Sequence, residues 1–245
     1  MVRPSTLSRL SATAADQWGL VTRRQAEGAG VPRATFDRLT SDEGLMERVA
    51  HGVYLLTLAP SPDHVALRAA WLQLALAVPA WERTPHQGVV SHRSAAALYG
   101  IGELPADRHD FTLPTRKQSR RADVRIHQRQ LDAGEWIWLR GLPVTRPARI
   151  ASDLLLDNED PEAVAQMTAD AIRAVYDPPA TIAQALAPHA ARFGLRRGDG
   201  LALLRWLLDL VGDSDTSRWM TEARDTIHRI EREQPTPEPV TTSHR

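Results

Sequence analysis

The sequence predicts an α+β fold: a small N-terminal module of helices closed by a hairpin, followed by a larger mixed domain that becomes mainly helical toward its C-terminus. Three observations predict it. Within residues 1–58 two short helix signals are followed by a third helix and two alternating runs around Gly52. Between 110 and 145 the runs "DFTLP", "VRIHQ" and "EWIWLRGLPVT" have strand character, all of them after the helical stretch "SHRSAAALYGI" at 91–101. From 147 on, helical patterns cover about 147–157, 161–176, 180–193, 198–212 and 215–232. With 245 residues, 42% of them hydrophobic and 24% charged, the chain has a globular composition and a length that suits two domains.

In the N-terminal module, residues 5–17 predict a first helix leading into "WGL". Thr22 with Gln25 three positions later is a capping-box signature, because the threonine oxygen and the glutamine side chain each satisfy a backbone N–H that the first turn leaves open. That second helix stops at "GAG". Pro32 suits the first turn of a third helix, in which Phe36 and Leu39 share one face, and Gly44 ends it. "LMERV" and "VYLL" then predict a hairpin. Helix, helix, turn, helix and hairpin is the order of a winged helix-turn-helix, expected at 1–58. The proline-rich "APSPDH" at 59–64 reads as a linker to a second domain at 63–232, and the polar, proline-rich residues 233–245 predict a disordered tail.

Several function classes are excluded by composition and spacing. The chain has no cysteine, hence no disulfide, thiolate metal site or cysteine nucleophile. Its most apolar stretch, 69–81, is too short to span a bilayer and is interrupted by Gln73 and Pro79, so a buried helix is expected there. No apolar signal-peptide core follows the N-terminus, and a cytoplasmic protein is expected. None of the nine histidines forms an H-x-x-x-H pair on a predicted helix, so no metal site and no cofactor are expected. Neither "GAG", "GIG" nor "GDG" has the setting of a phosphate loop. The single lysine, Lys117, lacks an acidic residue two positions before it, since Thr115 stands there, and Ser91 lacks a nucleophile-elbow frame. No catalytic residue is therefore assigned, and His92 at the head of its helix is read as structural.

Binding is the better-supported class. A helical wheel of the third helix buries Phe36 and Leu39, leaving Asp37, Arg38 and Ser41 on the opposite side with Arg33 on the flank; these four are the candidates for reading DNA bases. Arg23 and Arg24 at the start of the second helix, with Arg48 and His51 in the hairpin, are the candidates for phosphate and wing contacts. Although net charge is zero, residues 108–149 hold ten basic residues against four acidic ones. Arg116, Lys117, Arg120, Arg121 and Arg125 within this band are candidates for a partner protein or for further DNA contact.

Three stretches, "GLVTRRQAEGAGVPRATFDRLTSDEGLMERVAHGVYLL", "VVSHRSAAALYGIGELP" and "GLPVTRPARIASDLL", resemble the AbiEi-family antitoxins, the regulator half of bacterial abortive-infection toxin-antitoxin pairs. The first resembles the N-terminal winged helix through its T-x-x-Q-A helix start, Gly-Val before the third helix and closing G-V-Y. The other two resemble the C-terminal antitoxin domain; similar segments also occur in proteins with a restriction-endonuclease-like tail. The resemblance implies a repressor that binds double-stranded operator DNA of its own operon, and a C-terminal domain that neutralises a nucleotidyltransferase-like toxin. A solitary winged-helix transcription factor and a nuclease-like enzyme with a DNA-binding N-terminus are the alternative readings.

Overall fold

The structure, a computed structural model, describes residues 6–41 and 44–233. The chain divides into two compact units, one formed by residues 1–100 and 104–145, the other by 101–103 and 146–245. The boundary therefore falls near residue 145 and not at the expected linker around 59–64. The reason is that the N-terminal module and the segment after the linker share buried hydrogen bonds.

The first unit begins with α1 (Thr6–Ala15), β1 (Leu20–Thr22), α2 (Arg23–Gly28), α3 (Arg33–Ser41), β2 (Met46–Ala50) and β3 (Val53–Leu56). β3 pairs antiparallel with both neighbours, giving the order β1-β3-β2. The strand β1 has no signal in the sequence, because three buried residues show no alternation. Leu10, Val21, Phe36, Leu39, Met46 and Tyr54 form the core, in which Phe36 meets Tyr54 edge-on at 4.9 Å. The expected capping box is formed: Gln25 N donates to Thr22 Oγ1 at 3.1 Å and Thr22 N to Gln25 Oε1 at 2.9 Å. Gly52, at φ +73°, makes the β2–β3 turn in a conformation that costs a side chain-bearing residue strain.

Next come α4 (Val65–Gln73), β4 (Val89–Val90), α5 (His92–Tyr99), β5 (His109–Leu113), β6 (Val124–Gln128), β7 (Trp136–Leu139) and β8 (Leu142–Thr145). The five strands form one sheet in the order β6-β5-β4-β8-β7. Its centre, β4, is two residues long, too short for a strand pattern to show in the sequence. The outer pairs differ in sense: β5 and β6 run parallel, β7 and β8 antiparallel. The apolar stretch 69–81 is not one helix, since α4 ends at Gln73. Arg83, only 3% exposed, explains the stop. Its guanidinium donates to the carbonyls of Trp71 (2.5 Å), Leu72 (2.7 Å), Ala75 (2.6 Å) and Val78 (3.1 Å) and lies 4.4 Å from the Trp71 ring centre. Burial pushes its pKa down to about 10, so it remains charged at neutral pH.

Two glutamines join the module to this segment. Gln17, fully buried, donates to Leu20 O (3.0 Å) and accepts from Ala80 N (3.0 Å), and it pairs with the side-chain amide of Gln25 at 2.9 Å. Gln25 in turn donates to Val78 O at 3.2 Å. Without Gln17 the Ala80 N–H and Leu20 C=O lose these bonds in a place closed to solvent.

The second unit is helical: α6 (Pro147–Leu156), α7 (Pro161–Arg173), α8 (Pro179–Leu186), a 3-10 stretch (Ala187–Phe193), α9 (Gly200–Leu210) and α10 (Thr216–Glu233). Proline opens α6, α7 and α8, where its missing N–H costs nothing. Asp177, 1% exposed, fixes the start of α6 by accepting from Ala148 N (2.9 Å) and Arg146 Nε (2.8 Å). Gly200 lets α9 cross α8 closely, since a Cβ there would meet Ala183 O at 1.8 Å. The five expected helical segments are present, with the third divided between α8 and the 3-10 stretch. Beyond Glu233 the expected disordered tail lies outside the described residues.

Val175, just after α7, is a β-branched residue at φ +58° and 85% exposed. A side chain in that left-handed conformation costs about 1–2 kcal/mol, and solvent exposure returns nothing for it. Val175→Asn is expected to raise the unfolding free energy by about 1 kcal/mol, as asparagine tolerates this conformation; a lower denaturation midpoint would contradict the strain. Gln17→Leu is expected to cost about 1–3 kcal/mol, by stranding buried polar groups in the first unit. Denaturant titration of that variant would refute the linkage if the midpoint did not move.

Candidate nucleic-acid interface

The face presented by α3 follows from its burial. Phe36 and Leu39 anchor the helix, while Arg33, Ala34, Asp37 and Arg38 are exposed along it. The four expected base-reading residues do not share one environment. Arg33 is exposed and makes no hydrogen bond or ion pair with any described residue, so its guanidinium fork is available. Arg38 is exposed near the C-terminal end of the helix. Asp37 is ion-paired with Arg23, and Ser41 Oγ donates to the Asp37 carbonyl at 2.8 Å, so each already has an internal role.

The expected phosphate and wing residues divide as well. Arg23 reaches from α2 to Asp37 on α3, and its guanidinium carbon lies 5.1 Å from the Phe36 ring centre. That geometry is a brace between the two helices of the helix-turn-helix. Its neighbour Arg24 is 70% exposed and pairs with Glu27, at 3.5 Å and one turn on. An exposed pair of this kind is worth well under about 1 kcal/mol, so Arg24 is free to exchange Glu27 for a phosphate. In the hairpin, Arg48 and His51 are exposed and joined at 3.0 Å.

A second group of polar residues lies on the five-stranded sheet. His127 on β6 bonds Asp110 on β5 at 2.8 Å, and its ring stacks on that of His92 at 3.5 Å between centres. His92 Nδ1 bonds Ser91 Oγ at 2.9 Å. Asp110 thus serves His127, and Ser91 is fully buried, so a Ser91–His92–Asp110 relay would have no path to a substrate. His92 carries positive φ (+50°) at the first residue of α5, a strained position held by the stack and the serine bond. Sequence spacing gives no sign of His127, because it is the parallel pairing of β5 with β6 that brings it beside Asp110.

The arrangement of α1, the three-stranded sheet, α2, α3 and the β2–β3 hairpin makes the N-terminal module a winged helix-turn-helix. Residues 8–57, the same stretch, match the family model described as "Transcriptional regulator, AbiEi antitoxin". The resemblance read from the sequence is supported there. Among solved structures, the chain is similar to the RV2827C protein from Mycobacterium tuberculosis, with a TM-score of 0.49 and 16% identity over 100% of this chain and 88% of that one. No curated protein matches the chain. Among the described residues no helix is long and apolar enough to cross a membrane.

If Arg23 is a brace, its removal acts on the fold more than on a ligand. Arg23→Ala is expected to lower stability by less than about 1 kcal/mol, since the pair is partly exposed. It should leave the salt dependence of any nucleic-acid binding at the wild-type slope, and a slope reduced by about one unit would make Arg23 a phosphate contact instead.

Proposed function

We propose that the protein is a DNA-binding transcriptional regulator and antitoxin that represses its own toxin-antitoxin operon. The observation that carries this reading is the winged helix with an exposed Arg33 on α3 that bonds no described residue, in the stretch that matches the AbiEi regulator family. Arg33 and Arg38 read base edges, because an arginine fork pairs with two guanine acceptors in the major groove. Arg24 on α2, with Arg48 and His51 in the wing, contacts phosphate and sets affinity more than sequence choice. Asp37 and Ser41 act on readout through the position they give to Arg23 and to the helix end. The rest of the chain counters a cognate nucleotidyltransferase-like toxin, and the protein itself performs no catalysis.

The test is a salt series of binding to the DNA upstream of the protein's own gene against a scrambled duplex of equal length. Tighter upstream binding with a negative slope of log affinity on log salt is expected. Arg33→Ala should cost about 1–3 kcal/mol on the upstream duplex and much less on the scrambled one. Arg24→Ala should weaken both and reduce the slope by about one unit. Equal affinity of the wild-type protein for the two duplexes would defeat the repressor reading. Rescue of growth when the chain is co-expressed with the product of the adjacent reading frame is the expected result for the antitoxin role.

A further inference from the structure

The basic band lies beside the wing, although more than sixty residues separate them in sequence. Gln73, the last residue of α4, makes the connection: its Nε2 donates to His51 O in the wing turn at 2.8 Å, and its Oε1 accepts from Arg121. Arg121 is held in turn by Asp123, through Nε at 2.8 Å. Lys117 ties the other end of the same loop by donating to Leu74 O. Burial, then the nearby Arg83 charge, lowers the Lys117 pKa. Between wing and loop runs an open groove of about 360 Å³. Leu74, Val124 and Ile126 line it together with His51, Lys117 and Arg120.

The five basic residues singled out in the sequence therefore do different work. Lys117 and Arg121 spend hydrogen bonds on fixing the loop. Arg125 lies between Val124 and Ile126 on β6, so strand alternation turns it to the other face of the sheet. Arg116 and Arg120 are exposed and make no hydrogen bond or ion pair with any described residue. Two unpaired guanidinium groups thus stand on a loop anchored to the same helix end as the wing turn. Holding cations in place beforehand reduces the ordering cost of binding a polyanion.

We infer that the 116–121 loop is a second backbone clamp, in which Arg116 and Arg120 contact the phosphates of duplex DNA that runs on past the wing. The inference rests on the winged helix binding DNA and extends that contact beyond the groove read by α3. Duplex DNA is favoured over an acidic protein because Arg120 lines the same groove as His51, which is bonded to Arg48 in the wing, and a duplex offers one charge per about 1.7 Å along its axis. The clamp reads no bases. It lengthens the footprint on one side and raises the salt dependence.

The experiment uses the full chain and the footprinted upstream duplex, with a second duplex trimmed on either side to the base pairs whose protection Arg33→Ala abolishes. Arg116→Ala/Arg120→Ala is expected to reduce the slope of log affinity on log salt by about two units and the affinity about tenfold on the long duplex. On the trimmed duplex the double variant should bind as the wild type does. A charge-reversed Arg116→Glu/Arg120→Glu variant should weaken long-duplex binding further and shorten the footprint on one side. An unchanged slope and footprint in both variants, with Arg33→Ala still defective, would overturn the clamp alone and leave the loop to an acidic protein surface. Loss of binding in the loop variants with none in Arg33→Ala would instead overturn the winged-helix reading on which the clamp rests.

Discussion

The first unit depends on what happens to the backbone carbonyls freed where α4 stops. A helix end leaves its last carbonyls without intrahelical donors, and burying them unpaired is costly. Here the chain continues as apolar turns through Leu74 to Val78 and adds further carbonyls in the same place. The carbonyls of Trp71, Leu72 and Ala75 each accept one turn bond, from Leu74 N, Ala75 N and Val78 N, and Arg83 gives each a second donor while also bonding Val78 O; Lys117 takes Leu74; Thr22 takes Leu76; and Gln25 shares Val78. The donors come from the winged helix, from the segment before β4 and from the loop after β5. Satisfying one short stretch of backbone thereby fixes three remote parts of the chain to each other.

This arrangement accounts for the position of α3. Thr22 and Gln25 form the cap of α2 and at the same time bond Leu76 and Val78, so the start of α2 cannot shift without breaking the buried network. Arg23, the next residue, carries that placement across to α3 through Asp37. The exposed face of α3 is thus set by a cap whose partners lie more than fifty residues away. A capping box is ordinarily a local device. In this chain it also docks the module.

What is legible in the sequence follows the range of the interaction. The capping box, the Phe36/Leu39 face, the hairpin and the proline-opened helices after 147 are signals within one or two turns, and each is present in the structure. β1 and β4 are not legible, because three and two buried residues carry no periodicity and owe their strand form to partners elsewhere. The early end of α4 is hidden for the same reason: the apolar pattern runs on to 81, and the residue that ends the helix is Arg83. At the interface the exposed positions of α3 can be read from its wheel. The brace of Arg23 on Asp37 and the approach of the basic loop to the wing cannot, since both depend on tertiary contacts.

The arginine content of the chain takes on a different meaning once partners are known. A count of charges gives zero net charge and one local excess, which describe solubility and long-range field but not function. Many of the arginines are structural donors. Arg83 ends on backbone carbonyls, Arg192 on Leu155 O and Asn158 Oδ1, Arg68 stacks over Trp18 while bonding Asp63 and Arg140 O, and Arg146 holds Asp177. Guanidinium suits this work, since five fixed N–H groups can satisfy several carbonyls from one side chain and burial does not discharge it at neutral pH. Among the described residues Arg33, Arg116 and Arg120 have no internal acceptor, and these are the cations assigned above by proposal to DNA. Sorting positive side chains by what they already hold turns a neutral composition into a specific surface.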